Sequence, residues 1–156
     1  TGHLVFSTVH TNSAVAAIAR LRDMGVEPYL MASTLRLVLA QRLVRRLCDA
    51  CKRPGVIGPR EGALLATIGA PPAAYEAQGC KVCGGSGYTG RIGLYECMTV
   101  DDEIRRMIHA NATEQEMAAY AFADADQLVA SGLKYVAAGI ASLSDVLRSA
   151  GSGELA

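Results

Sequence analysis

Four of the five cysteines fall in two CxxC pairs, Cys48-Asp49-Ala50-Cys51 and Cys80-Lys81-Val82-Cys83. This is the spacing of a four-thiolate zinc site: a CxxC turn converges two sulfurs on one cation, and two turns complete the tetrahedron that Zn²⁺ prefers. Four protein thiolates leave no position open to substrate, so the expected ion is structural, one per chain. Two disulfides or a redox-active CxxC are the alternatives. Duplication of the pair weighs against the redox reading, and nothing in the composition points to an oxidising compartment. Gly84-Gly85-Ser86-Gly87 follows the second pair and lets the backbone turn tightly enough for its amides to face the sulfurs. The 28 residues between the pairs exceed the ~15–20 of a compact ribbon pattern. The site should therefore staple a small subdomain over residues 48–83 rather than a single hairpin. Cys97 stands apart and reads as a buried, reduced thiol.

His3 and His10 flank the run Leu4-Val5-Phe6, and a Ser/Thr-rich turn follows it. A histidine at the C-terminal end of a strand sits where α/β proteins place ligands; a histidine satisfied by a loop carbonyl is the plainer alternative. The chain contains no GxxxxGK[ST], no GxGxxG and no metal-binding carboxylate pair. Fifteen basic side chains cancel fifteen acidic ones, and aromatics make up 5% of the residues. Both facts weigh against nucleic acid as a partner, which demands phosphate contacts and stacking surfaces. No apolar run approaches the ~20 residues of a membrane span, and the N-terminus has no signal-peptide character. The setting that fits is soluble, reducing and cytosolic.

The elements that must position these residues are mainly helical. Half the residues are apolar, with no Trp and two Phe, so Ala, Leu and Val should build the core. Leu4-Val5-Phe6 reads as a short buried strand. No second strand is expected before about residue 91, so its partners should lie upstream, in a larger protein from which this is a piece. Such an exposed edge would invite swapping. A helix is predicted from Ser13 to Met24, capped by Thr11-Asn12-Ser13 and ended by Gly25. Another is predicted from Pro28 to Leu47, with Leu35, Leu39, Leu43 and Leu47 as a buried i+4 stripe beside Val38. Arg42, Arg45 and Arg46 would share a neighbouring face, either solvated or contacting an anion or subunit. A short helix over 60–68 stops at Gly69-Ala70-Pro71-Pro72, and a strand covers 90–100. Helices follow over 102–110, 113–124, 131–139 and 142–149. Thr113…Glu116 fits a capping box, and Ser142…Asp145 is a weaker start of the same kind.

Several motifs in order resemble those of one family. Thr1-Gly2-His3-Leu4-Val5-Phe6-Ser7-Thr8-Val9-His10-Thr11-Asn12 resembles the His box of the type II secretion and type IV pilus assembly ATPases. Arg20-Leu21-Arg22-Asp23-Met24-Gly25-Val26-Glu27-Pro28 is similar to their next motif. Ala40-Gln41-Arg42-Leu43-Val44-Arg45-Arg46-Leu47-Cys48, the cysteine pairs and Gly87-Tyr88-Thr89-Gly90-Arg91-Ile92-Gly93-Leu94-Tyr95-Glu96 look like the zinc-carrying branch. The segment from Gly132 to Leu143 slightly favours the general secretory-pathway E proteins over the pilus extension ATPases. The resemblance covers nearly the whole chain and is weakest over 55–79.

The resemblance implies an α/β fragment, mostly helical: the C-terminal part of a RecA-like P-loop ATPase core with an inserted Cys₄ zinc subdomain. Residues 1–47 would belong to that core and 48–83 to the zinc subdomain. Residues 84–100 would return to the core, 101–150 would form a C-terminal helical region, and 151–156 a flexible tail. The parent would hydrolyse ATP with Mg²⁺ to drive pseudopilus assembly in type II secretion. It would act as a homo-hexamer on inner-membrane platform proteins, held peripherally at the cytoplasmic face of the bacterial inner membrane. By motif, His10 and His3 would be catalytic, His10 near the γ-phosphate, and Cys48, Cys51, Cys80 and Cys83 the zinc ligands. Walker A, the acidic box and Walker B would lie upstream of Thr1. Without those groups to hold phosphates and Mg²⁺, this stretch alone should neither bind ATP tightly nor turn it over. The alternatives are a type IV pilus extension ATPase and, in another class, a non-catalytic zinc-stabilised interaction module.

Overall fold

The fold is given by a computed structural model that describes residues 2–151. The expected tail over 151–156 therefore lies, apart from Gly151, outside the described residues. Seven helices and four strands occur among the described residues: α1 (Ala14–Asp23), α2 (Pro28–Thr34), β1 (Leu37–Leu47), β2 (Arg53–Pro54), α3 (Pro59–Ala66), β3 (Tyr75–Glu76), β4 (Tyr88–Thr99), α4 (Asp102–His109), α5 (Glu114–Ala121), α6 (Leu128–Ala137) and α7 (Leu143–Ala150). β1 pairs with β4, and β2 pairs with β3 in antiparallel register, Arg53 opposite Glu76 and Pro54 opposite Tyr75. No helix of the described residues is long and apolar enough to cross a membrane. The chain divides into two units, one running to Ala40 and resuming over Cys97–Ala125, the other comprising Gln41–Glu96 and the residues from Asp126 onward.

The first unit is held by apolar packing. Ala14, Val15 and Ile18 of α1, Met31 and Ala32 of α2, Met98 and Val100, Ile104 and Ile108 of α4, and Met117 of α5 form one buried cluster. Ile and Met thus carry much of a core that the composition assigned to Ala, Leu and Val. The helix starts are those the sequence marks. Ser13 Oγ accepts the Ala16 N–H at 3.2 Å. Thr113 Oγ1 accepts from the Glu116 N–H (3.2 Å) while the Glu116 carboxylate accepts from the Thr113 N–H (2.8 Å), a complete capping box. Asp101 caps α4 by accepting the Ile104 N–H at 2.9 Å and also accepts the Tyr120 hydroxyl at 3.0 Å. These bonds to the ionised form hold its carboxyl below the usual range.

Three expectations are corrected. Leu4, Val5 and Phe6 are not a buried strand: residues 2–11 have no helix or strand, and these three side chains are 75%, 78% and 88% exposed. β favourability needs a partner ladder, and no described strand pairs with this run. The helix from Pro28 stops at Thr34, and Leu37–Leu47 is a strand. The Ser33 and Thr34 hydroxyls bond back to the Leu30 carbonyl at 3.1 and 2.6 Å, competing with the helical ladder. Leu35 is then extended, with φ −65° and ψ 139°. A spacing of four is also even, so the leucine series fits a period of two. In the strand Val38, Ala40, Arg42 and Val44 turn inward while Leu37, Leu39 and Leu43 are exposed. Cys97 is likewise exposed, not buried.

The second unit combines an apolar core with polar ties. Val44, Leu47, Leu65, Leu94, Leu133, Val136 and Val146 are buried. Glu96, also buried, accepts the Leu128 N–H at 3.3 Å and so serves the first turn of α6, which Gln127 does not cap with its side chain. The inward–outward alternation of β1 breaks at Arg45 and Arg46, both of which face out. There the Arg45 N–H donates to Asp145 Oδ2 of α7 at 2.7 Å instead.

Candidate metal centre

Each CxxC pair sits in a turn that its own backbone closes. In the first, the Cys51 and Lys52 N–H groups both donate to the Cys48 carbonyl, at 3.2 and 2.9 Å. In the second, the Gly85 N–H donates to the Cys80 carbonyl at 2.8 Å. The Cys80 and Gly87 N–H groups point at Cys83 Sγ, at 3.2 and 3.1 Å. Gly87 has φ +77°, a left-handed conformation that glycine adopts without strain. The amide–sulfur bonds expected from the glycine run are therefore present. The Cys48 N–H donates to the Gly87 carbonyl at 2.9 Å, which ties one turn to the other.

The four sulfurs lie within 4.8 Å of one another. Cys48 Sγ is 3.9 Å from Cys80 Sγ, Cys51 Sγ is 3.9 Å from Cys83 Sγ, and Cys80 Sγ is 3.8 Å from Cys83 Sγ. With Zn–S bonds of about 2.3 Å, the edge of a regular S₄ tetrahedron is about 3.8 Å. A disulfide requires about 2.05 Å, and all four cysteines are free. The donor set, four soft sulfurs with three separations near the tetrahedral edge and all within 4.8 Å, therefore fits a metal ion of the zinc kind.

The sulfurs are not electrostatically equivalent. Burial pushes the Cys51 thiol up to about 11, with its neighbours' thiols adding to the rise. Burial raises Cys83 too, but the Cys80 and Gly87 N–H groups and the neighbouring thiols outweigh it and bring Cys83 down to about 6. Cys83 is thus the sulfur the fold prepares as a thiolate; a bound cation would displace the remaining protons.

Residues beside the cluster complete it in ways the cysteine spacing does not reveal. Lys52 Nζ donates to Asp49 Oδ1 and to the Gly139 carbonyl, both at 2.8 Å. Arg46 also reaches Asp49, at 3.0 Å. Arg45 grips the buried Asp145 with Nε (3.1 Å) and Nη2 (2.8 Å) and lies 3.9 Å over the Tyr88 ring. Arg148 pairs with the same carboxylate. Burial opposes ionisation of Asp145, but Arg45 outweighs it and the carboxyl sits below its usual range. The three arginines of 42–46 therefore share no helix face; Arg42 is half-buried, while Arg45 and Arg46 have separate carboxylate partners. Ser142 does cap α7, accepting the Asp145 N–H at 3.4 Å. The Asp145 carboxylate, however, serves Arg45, 100 residues away in sequence, a pairing that carries no local signal.

His3 and His10 lie in the exposed segment 2–11 of the first unit, and the four cysteines lie in the second unit. The turn after His10 is stabilised by Thr11 Oγ1, which donates to the Ser13 carbonyl at 3.1 Å.

The family described as Type II/IV secretion system protein matches residues 1–148. The chain is 48% identical over 149 residues to the type II secretion system protein E of Pseudomonas aeruginosa. It is 46% identical over 149 residues to the type II secretion system ATPase E of Vibrio cholerae, and 43% over 148 residues to the type II secretion system protein E of Dickeya dadantii. Each match covers 95% of this chain and 30% of the relative, so the chain spans about a third of the length of the curated relatives it matches.

Proposed function

Since the chain belongs to the Type II/IV secretion system protein family, we propose that it is the C-terminal part of an ATPase that powers type II protein secretion, carrying a structural Cys₄ zinc site. The tetrahedral spacing of four sulfurs carries the zinc assignment. The name of the Vibrio cholerae relative, type II secretion system ATPase E, supports the motor reading and favours secretion over pilus extension.

In this reading Cys48, Cys51, Cys80 and Cys83 hold Zn²⁺, which supplies a cross-link where a short subdomain has little apolar core to bury. The chain's own residues prepare that site: Gly87 and Cys80 aim N–H groups at Cys83, and the Cys48 carbonyl closes the first turn. His10, with His3 in the same segment, would serve ATP hydrolysis near the γ-phosphate in the full-length protein, where other residues hold ATP and Mg²⁺. The full-length protein would work as a hexamer at the cytoplasmic face of the inner membrane, against platform proteins. The residues 1–156 alone would be inactive.

The test is a His10→Ala change in the full-length protein, with zinc content measured beside ATP turnover. General-acid–base or positioning roles contribute on the order of 10²-fold, so turnover should fall by at least tenfold at one zinc per chain. Unchanged turnover would return His10 to a structural role.

A further inference from the structure

The turn between α6 and α7 is seated on the metal cluster by bonds that all begin close to a ligand. On the first pair, the Leu47 N–H, adjacent to Cys48, donates to the Ile140 carbonyl at 2.7 Å. Lys52, adjacent to Cys51, sends Nζ to the Gly139 carbonyl at 2.8 Å, at the end of α6. On the second pair, Tyr75 and Tyr88 each lie five residues from a ligand. The Tyr75 ring fills the space where a Cβ on Gly139 would stand, at 2.9 Å, and lies 5.5 Å from Lys52 Nζ. The Tyr88 hydroxyl is 3.5 Å from Ser142 Oγ, and its ring lies under the Arg45 guanidinium that holds Asp145. The segment 139–145 is thus held from residues near both CxxC pairs, and Lys52 spans from the first turn to the Gly139 carbonyl just past α6.

We propose that metal occupancy of the four-cysteine site fixes the α6–α7 hairpin in place, with Lys52 as the positioning residue that transmits it. The inference rests on the reading that these cysteines bind zinc. The physical reason is the flexibility of the lysine. Holding its four-carbon stem in one conformation costs rotamer entropy comparable with what one charge-assisted hydrogen bond returns. The Gly139 bond therefore persists only while the Lys52 backbone is itself held. That backbone is held by its N–H bond to the Cys48 carbonyl, in a turn whose two sulfurs a shared cation would cross-link to the second pair. Coupling of this kind is reciprocal: whatever factor zinc contributes to the hairpin, the hairpin contributes to zinc affinity.

Amide hydrogen exchange on the zinc-loaded and chelated 156-residue chain tests this, with zinc stoichiometry measured on the same samples. Chelation should lower protection in 139–150 by about tenfold or more, within the ordinary range of coupling between sites, and leave 102–121 within about twofold. Lys52→Met should keep one zinc per chain, weaken zinc affinity about fivefold, and lower protection at 139–143 by a similar factor. Retained protection at 139–150 after zinc is stripped would overturn the proposal. So would a Lys52→Met chain with unchanged affinity and unchanged exchange, or equal loss of protection at 102–121. A wild-type chain that binds no zinc would instead overturn the zinc reading beneath it.

Discussion

The two units keep their shape by different means. The first encloses Ile18, Met31, Met98, Ile104, Ile108 and Met117 in a continuous apolar cluster, and its polar bonds are mostly caps within a few residues of the groups they serve. The second adds to its apolar core long-range polar ties, Arg45 to Asp145 and Lys52 to Gly139, together with four converging thiols. Apolar burial is non-directional and survives changes in ions and pH, whereas thiolates and buried ion pairs depend on both. If the four thiols bind zinc as proposed, one chain combines a unit held by apolar burial with one whose stability also responds to a ligand.

The largest effect should come from removing the metal. Cys80→Ser should abolish zinc binding and loosen the second unit, the α6–α7 hairpin included, while α4 and α5 stay protected. Structural zinc sites contribute on the order of 10 kcal/mol of binding free energy, far more than any single contact in the first unit. One zinc per Cys80→Ser chain would break the four-cysteine assignment. The converse substitution, Ile104→Ala, opens a cavity in the first unit and should cost about 2–5 kcal/mol. Its zinc stoichiometry should stay at one per chain, read by metal analysis beside denaturant unfolding. Next in size is Asp145→Asn, which leaves Arg45 and Arg148 without their carboxylate. Since Arg45 is about half exposed, the cost should be about 1–3 kcal/mol, seen as faster exchange in α7 with α4 unchanged.

The smallest effect is the pH dependence of one helix start in the first unit. Asp101 is held below its usual range first by the Ile104 N–H and then by the Tyr120 hydroxyl. A depressed folded value means its contribution is fully present above the unfolded pKa of about 3.9 and is lost as pH falls through the folded value. Exchange in α4 should therefore quicken below about pH 4, and Asp101→Asn should flatten that response. An unaltered acid response in the variant would assign it to other carboxylates, Glu103 and Glu116 among them, which are also held low, by Arg106 and by Thr113.

Legibility in the sequence followed the range of the interaction. Ser13, Thr113 and Ser142 mark helix starts because a cap is complete within four residues; α1, α5 and α7 begin beside them. The CxxC pairs are equally local, and the glycine run after Cys83 announced the amide–sulfur bonds that the fold contains. Leu35, Leu39, Leu43 and Leu47 misled because a spacing of four satisfies both a helix face and a strand face. The partner strand β4, some 50 residues on, decided between them. Leu4-Val5-Phe6 misled for a related reason: its composition favours a strand, but a strand is a property of two segments.

What the sequence determined by itself was therefore what short chain segments can close: the caps, the two thiol pairs, the breaks at Gly25 and Pro28, and the family to which the motifs belong. The tertiary structure alone decided that the two pairs bring four sulfurs within 4.8 Å of one another, that Cys97 faces outward, and that Lys52 and Asp145 tie the hairpin to the side of the cysteines. These depend on residues dozens of positions apart, brought together by burial that acts on area rather than on order along the chain.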